Sequence, residues 1–227
     1  MKRSNVFAVL IVALLATMDT LTAQEKYAVI IGGNVNPDES TIPISDQWNG
    51  GPDAFNNDFD EIWNDLYLTW EMLVFHKNYN DDNVHVLYGD SPAQDYTFSG
   101  QDDRYKAIYH QGYTEVTDED ASEASIQYVF EDELASAITA EDFLFVWIMG
   151  HGGSDATGHY FYSYDNEKIY ASDLAGWLDG ISAHRKVIYL SFPKSGGFAP
   201  VLENAGNVVI TACGGASRTD VWEEVIF

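Results

Sequence analysis

Glu141 to Gly153 reads EDFLFVWIMGHGG. Phe143 to Met149 is an unbroken apolar run of strand length, and Gly150, His151, Gly152 and Gly153 follow at once. A run of this kind bounded by glycines reads as a strand buried on both faces, as in the middle of a parallel sheet. Ligands and chemistry gather at the carboxyl ends of such strands. His151 at that edge, between glycines that let another backbone come close, is a candidate functional residue.

Working outward, the same pattern recurs. Lys26 to Gly33 (KYAVIIGG) is an apolar strand ending in glycines, and Asn83 to Tyr88 (NVHVLY) is a short second one. Between them, Asn34 to Pro52 reads as a polar loop, and a helix is expected from near Asp53. Its apolar face is Phe55, Phe59, Ile62, Trp63, Leu66, Trp70, Leu73 and Val74, at three- and four-residue spacing. Ser122 to Ile138 has a second such face in Ile126, Val129, Phe130, Leu134 and Ile138. Tyr160 to Tyr164 and Lys168 to Tyr170 flank Asp165-Asn166, a hairpin turn. Ser172 is placed to cap a short helix through Leu178, with Asp173 near its N-terminus. Lys186 to Phe192 (KVIYLSF) and Asn207 to Cys213 (NVVITAC) complete the strands, each followed by glycines. Strands alternating with helices predict an α/β fold: a three-layer α/β/α sandwich with a mostly parallel central sheet.

The chain start has a different character. Lys2 and Arg3 precede an apolar stretch, Val6 to Ala16, and Ala23 is a fitting last residue before cleavage. This predicts a signal peptide over 1–23, a mature domain over 24–227, and a secreted or periplasmic location with no integral membrane segment after cleavage. No Cys lies at the cleavage site, so a lipoprotein is not expected. Cys213 is the only cysteine, which leaves no internal disulfide. The chain reaches Phe227 soon after its last strand, where such a sheet normally continues, and truncation at the C-terminus is expected.

Thirty-six acidic residues against 11 basic ones give a formal charge of -25. That surface repels nucleic acid and anionic lipid and suits cations or basic partners. Ser91 to Asp120 is polar and aperiodic and reads as an insertion. Asp81-Asp82 and Asp102-Asp103 carry the charge for weak calcium binding, but no stretch has the alternating ligands of an EF-hand loop. Solvated acidic surface is the preferred reading. The six histidines lack metal-like spacing, so neither a zinc site nor any cofactor is expected. His159 and His184 read as surface residues.

Taken in order, a strand ending in His-Gly-Gly, a strand ending in Ser-Gly-Gly-Phe and a strand reading Val-Ile-Thr-Ala-Cys resemble the caspase-fold cysteine peptidases. The legumain-like branch is the nearest, in its bacterial secreted form. The resemblance runs through KYAVIIGG from Lys26, FLFVWIMGHGG from Phe143, HYFYSYDNEKIYASDLAGWL from His159, KVIYLSFPKSGGF from Lys186 and NVVITAC from Asn207. It implies a caspase-like fold, a peptide or protein substrate and a Cys–His dyad. The catalytic base maps to His151 and one oxyanion N–H donor to Gly152. Ser195, Gly196 and Cys213 map beside the substrate pocket. The nucleophilic Cys, two residues before Ser-Gly-Gly, maps to Pro193.

That last position departs from the family's chemistry. The route needs a thiolate activated by a base, and N–H donors for the developing oxyanion. In the family one of those donors is the nucleophile's own N–H. Proline has no thiol and no N–H. Ser191 and Ser195 flank the position as hydroxyl substitutes, and Cys213 ends a different strand, where it reads as a small buried residue. The expectation is a peptidase homologue impaired at its nucleophile. Two alternatives stand beside it: an active cysteine-type endopeptidase, using another nucleophile or derived from an active parent, and a secreted acidic calcium- or protein-binding module.

Overall fold

The structure is a computed structural model and describes residues 24–33, 58–88, 116–204 and 206–216, with backbone only for 58–64. In chain order the elements are β1 (Lys26–Gly32), α1 (Asp58–Glu71), β2 (Val84–Tyr88), α2 (Glu123–Tyr128), β3 (Phe143–Met149), β4 (Gly152–Ser154), β5 (His159–Tyr162), β6 (Lys168–Tyr170), α3 (Ala171–Asp179), β7 (Arg185–Ser191), α4 (Ala199–Leu202) and β8 (Asn207–Thr211). Both long helices widen into π-helical turns, Met72–His76 after α1 and Val129–Leu134 after α2, the latter followed by Ala135–Ala137.

Five strands form one sheet in the order β2-β1-β3-β7-β8, and every pairing is parallel. From β1 to β2 the chain steps one way across the sheet, and every later step goes the other way. Parallel crossovers are right-handed, so reversing the direction of travel reverses the face that the crossover covers. One helix is therefore expected on one face and the rest on the other. Leu66, Trp70 and Leu73, from α1 and its π turn, pack with Ala28, Ile30, Trp147 and Met149 on the first face. Ile126 and Phe130 from α2 and its extension, Leu174 and Trp177 from α3 and Leu202 from α4 pack with Val29, Ile31, Val146, Ile148, Ile188 and Leu190 on the second. The fold is thus the expected α/β/α arrangement with a parallel centre. On the α1 side of the sheet, Val208 and Ile210 of β8 stay 38% and 47% exposed.

Several local expectations change. The proposed helix start at Asp53, the loop at 34–52 and most of the 91–120 insertion lie outside the described residues, as do Asp102 and Asp103. Where the insertion re-enters, it is tied to β2: Glu119 bridges Leu87, and Asp118 Oδ2 accepts the Val86 N–H at 2.8 Å. Asp81 is a structural acceptor, taking the Trp70 indole N–H at 2.8 Å. Ser172 is not the cap of α3. The helix begins at Ala171, and Asp173 reaches back to accept the Tyr170 N–H at 2.9 Å, a carboxylate satisfying an orphan donor at a helix start. The last strand stops at Thr211, leaving Cys213 beyond it.

A second sheet, β4-β5-β6, is antiparallel and stands at the carboxyl end of β3. Its hairpin turn holds Asn166 at φ 65°, a conformation that asparagine tolerates. Gly33, at the end of β1, lies where a Cβ would strike the carbonyl of Tyr162 in β5. The two sheets meet there without room for a side chain.

Candidate active site

Two chain segments converge at the carboxyl edge of the main sheet. The first leaves β3. Gly150 turns the chain at φ 142°, a region open to glycine and closed to bulkier residues. His151 follows, half-buried, and its carbonyl accepts the Tyr162 N–H at 3.0 Å. Antiparallel pairs alternate between bonded and non-bonded. The next pair, Gly152 opposite Phe161, is then non-bonded, and the Gly152 N–H points away from β5. Burial pushes the His151 imidazole down from 6.5 to about 4, so it is neutral at ordinary pH and has the protonation state of a base.

The second segment leaves β7. Phe192 is fully buried and packs with Phe198 and Phe161, with ring centroids 5.1 and 5.7 Å away. This aromatic cluster clamps both ends of the turn through Pro193, Lys194, Ser195, Gly196 and Gly197 to the second sheet. Lys194 sits at φ 62° and ψ 16°, left-handed for a residue with a Cβ. Such a conformation persists only where its surroundings hold it. Here the Lys194 N–H donates to Cys213 Sγ at 3.0 Å, its carbonyl accepts from the Gly197 N–H at 3.1 Å, and its Nζ donates to Ser154 Oγ at 3.0 Å.

The two segments touch. A Cβ at Gly152 would lie 2.5 Å from Phe192 Cδ2 and 2.8 Å from the Pro193 carbonyl oxygen. The His-Gly motif and position 193, 41 residues apart in sequence, therefore form one site. A model of the peptidase C13 family matches residues 99–222, more than half of the chain. The chain belongs to that family. No curated protein matches it. Family membership makes it a legumain-like cysteine peptidase homologue, with a protein or peptide as the class of substrate. The matched stretch includes His151, Gly152, Pro193 and Cys213.

The remaining candidates are gathered at the same turn. Ser195 is fully buried, its N–H on the Phe192 carbonyl at 3.2 Å and its Oγ 3.8 Å from Cys213 Sγ. The Gly196 N–H donates to the Cys213 carbonyl at 2.9 Å, and a Cβ at Gly196 would run into Cys213, Gly214 and Gly215. Cys213 thus lies half-buried beneath the turn, where its S–H reaches the Phe192 carbonyl at 3.5 Å. Ser191 is buried at the end of β7.

His159 corrects the surface expectation. Its ring packs on Gly197 and against Gly215, and its Nδ1 is buried with no hydrogen-bond partner among the described residues. The signal was in the strand: His159 alternates with core residue Phe161 and shares its inward face. His184 is exposed, as expected. Lys194, Ser154 and Tyr160 also went unread. The Tyr160 ring covers Gly153, and Lys168 Nζ lies 4.3 Å from its centroid. That ammonium, 2.8 Å from Asp155, holds the Asp155 carboxyl well below its usual range and is itself raised by it. Among the described residues no group of three or more His, Cys, Asp or Glu is placed to hold a metal ion, and no helix is long and apolar enough to cross a membrane.

Proposed function

We propose that this chain is an exported, peptide-binding homologue of the C13 peptidases whose own hydrolysis is lost at position 193. The reading rests on one observation: Pro193 occupies the point where the His-Gly motif and the β7 turn meet. His151 is neutral there and fit to take a proton. Gly152 has an N–H turned away from its sheet partner, as an oxyanion donor needs. Proline offers neither sulfur to attack nor N–H to donate, and the next N–H, of Lys194, is already given to Cys213. Cys213 serves as a brace for the turn, accepting one hydrogen bond and donating another.

Pro193→Cys restores both missing groups with one substitution. The purified chain and this variant are to be incubated with an Asn- or Asp-directed fluorogenic peptide and a thiol-reactive active-site probe. Hydrolysis and labelling are expected only in the variant. Hydrolysis by the wild type that disappears in Cys213→Ala would make Cys213 the nucleophile and overturn the reading. The export half is tested by the N-terminus of the mature protein, expected at Gln24.

A further inference from the structure

We propose that Lys194 makes the mouth of this site a receptor for acidic peptide segments, through a half-buried ammonium that no carboxylate among the described residues neutralises. The proposal rests on the peptide-binding reading above and names the class of peptide.

Among the described residues, Lys194 shares its lack of a carboxylate partner with Lys26 and Lys186, whose ammonium groups donate to the carbonyls of Lys77 and Leu178, and differs from them in standing at the site. With 36 acidic residues against 11 basic ones, a lysine has many carboxylates within reach. Lys168, on the outer face of the second sheet, has found Asp155 at 2.8 Å. Lys194 has not. Its Nζ donates to the hydroxyl of Ser154 at 3.0 Å, and among the described residues no carboxylate pairs with it. A hydroxyl fixes the direction of the side chain but leaves its charge whole. An ammonium has three donors, so at least two remain for a ligand or water.

Its position is equally specific. Gly152 and Ser154 lie on the same face of β4, two residues apart. Gly152 faces Phe192 and Pro193, and Ser154 holds Lys194. The lysine side chain therefore runs beside the strand that follows His151, one residue from the position of the family nucleophile. A peptide bound against Gly152 passes this ammonium. Two hydrogen bonds hold its backbone left-handed and a third, from Nζ, directs its side chain, so the charge is held in place in advance. The surrounding acidic surface attracts cations at long range and disfavours an acidic ligand elsewhere on the chain. At short range, one local positive charge in a partly desolvated mouth selects the opposite sign.

The test uses a fluorescein-labelled peptide with a Glu-Glu pair and its Gln-Gln counterpart, followed by anisotropy with the purified full chain at low and at physiological salt. The Glu peptide is expected to bind about fivefold or more tightly than the Gln peptide at low salt, with the preference reduced as salt rises. Lys194→Met should remove the preference, and Lys194→Glu should reverse it. Ser154→Ala frees the ammonium without removing it and should keep the preference, which guards against a variant that merely disturbs the turn. Equal binding of the two peptides, or an unchanged preference in Lys194→Met, overturns the proposal. Hydrolysis by Pro193→Cys is scored separately: its absence would sink the peptidase-site reading while the anisotropy result still decides the role of Lys194.

Discussion

The ends of β3 and β7 supply the two halves of one site, and they differ in what their residues can do chemically. The end of β3 carries a half-buried neutral imidazole and a glycine whose N–H faces away from its ladder. At the end of β7 the chemical residue is Pro193, yet the architecture is as tight as on the other side. Phe161, Phe192 and Phe198 interlock beneath it, Gly196 and Gly197 leave no space for a Cβ, and Cys213 braces the turn from below. A segment relieved of all function would be free to loosen. This one is tightly held around a residue that carries neither thiol nor N–H, so on the proposed reading scaffold and reactivity are separable here.

The largest effect should come from the substitution that makes the two halves alike. Pro193→Cys is expected to raise hydrolysis from none to a measurable rate. His151→Ala in that background should then lower kcat by about a thousandfold, the scale of a lost general base. A rate indifferent to His151 would separate the β3 end from the chemistry and break the comparison.

Phe198→Ala probes the scaffold alone. The ring is fully buried between Phe161 and Phe192, and truncations of that kind cost about 3–5 kcal/mol. Urea unfolding should show the loss at unchanged m-value. In the Pro193→Cys background, activity should fall further than the unfolded fraction explains, because the turn loses its clamp. A stability loss below about 1 kcal/mol would mean that the cluster is not what fixes position 193.

The β3 end carries a pH signature that the β7 end lacks. An imidazole held near 4 in the fold, against 6.5 when unconstrained, takes its proton first in the unfolded chain. The stability it contributes is full above about pH 6.5 and is lost as pH falls towards about 4. For a half-buried group this amounts to about 2 kcal/mol. His85 is also lowered by burial and acts in the same sense. Asp65 and Asp118, both raised by burial to about 6, act in the opposite one. The measurement is therefore a difference: wild type minus His151→Gln, from pH 7 to pH 4. A flat difference would show that the imidazole is not held neutral.

How much of this the sequence carries follows from the range of the interactions. Strands such as FLFVWIM and KVIYLSF are legible because burial on both faces leaves a continuous apolar run. The α2 face was readable through its π turn because Ile126, Val129, Phe130 and Leu134 stay on one side of it. The left-handed Lys194 was not legible, since nothing in its neighbours demands φ 62°. Its side chain is held by Ser154, 40 residues before it, and its backbone by Cys213, 19 after. The place of Cys213 is of the same kind: its strand is obvious, but its arrival beneath another strand's turn depends on β8 pairing with β7. Pro193 is the opposite case, where residue type alone settles what the position cannot do.

The smallest expected effect separates two lysines that composition treats as equals. Lys168 and Lys194 both stand on the second sheet's side of the site, one on an ion pair with Asp155 and the other on a hydroxyl. An exposed ion pair often contributes nothing measurable to stability, so Lys168→Met should leave the melting temperature unchanged within error. Its charge is already balanced at 2.8 Å by Asp155, and binding of the Glu-Glu peptide should likewise hold at low salt. Were Lys168→Met to weaken that peptide as much as Lys194→Met does, the general field of the chain would govern recognition. A difference between the two variants would place recognition at the Lys194 ammonium, which is held by a hydroxyl beside Pro193.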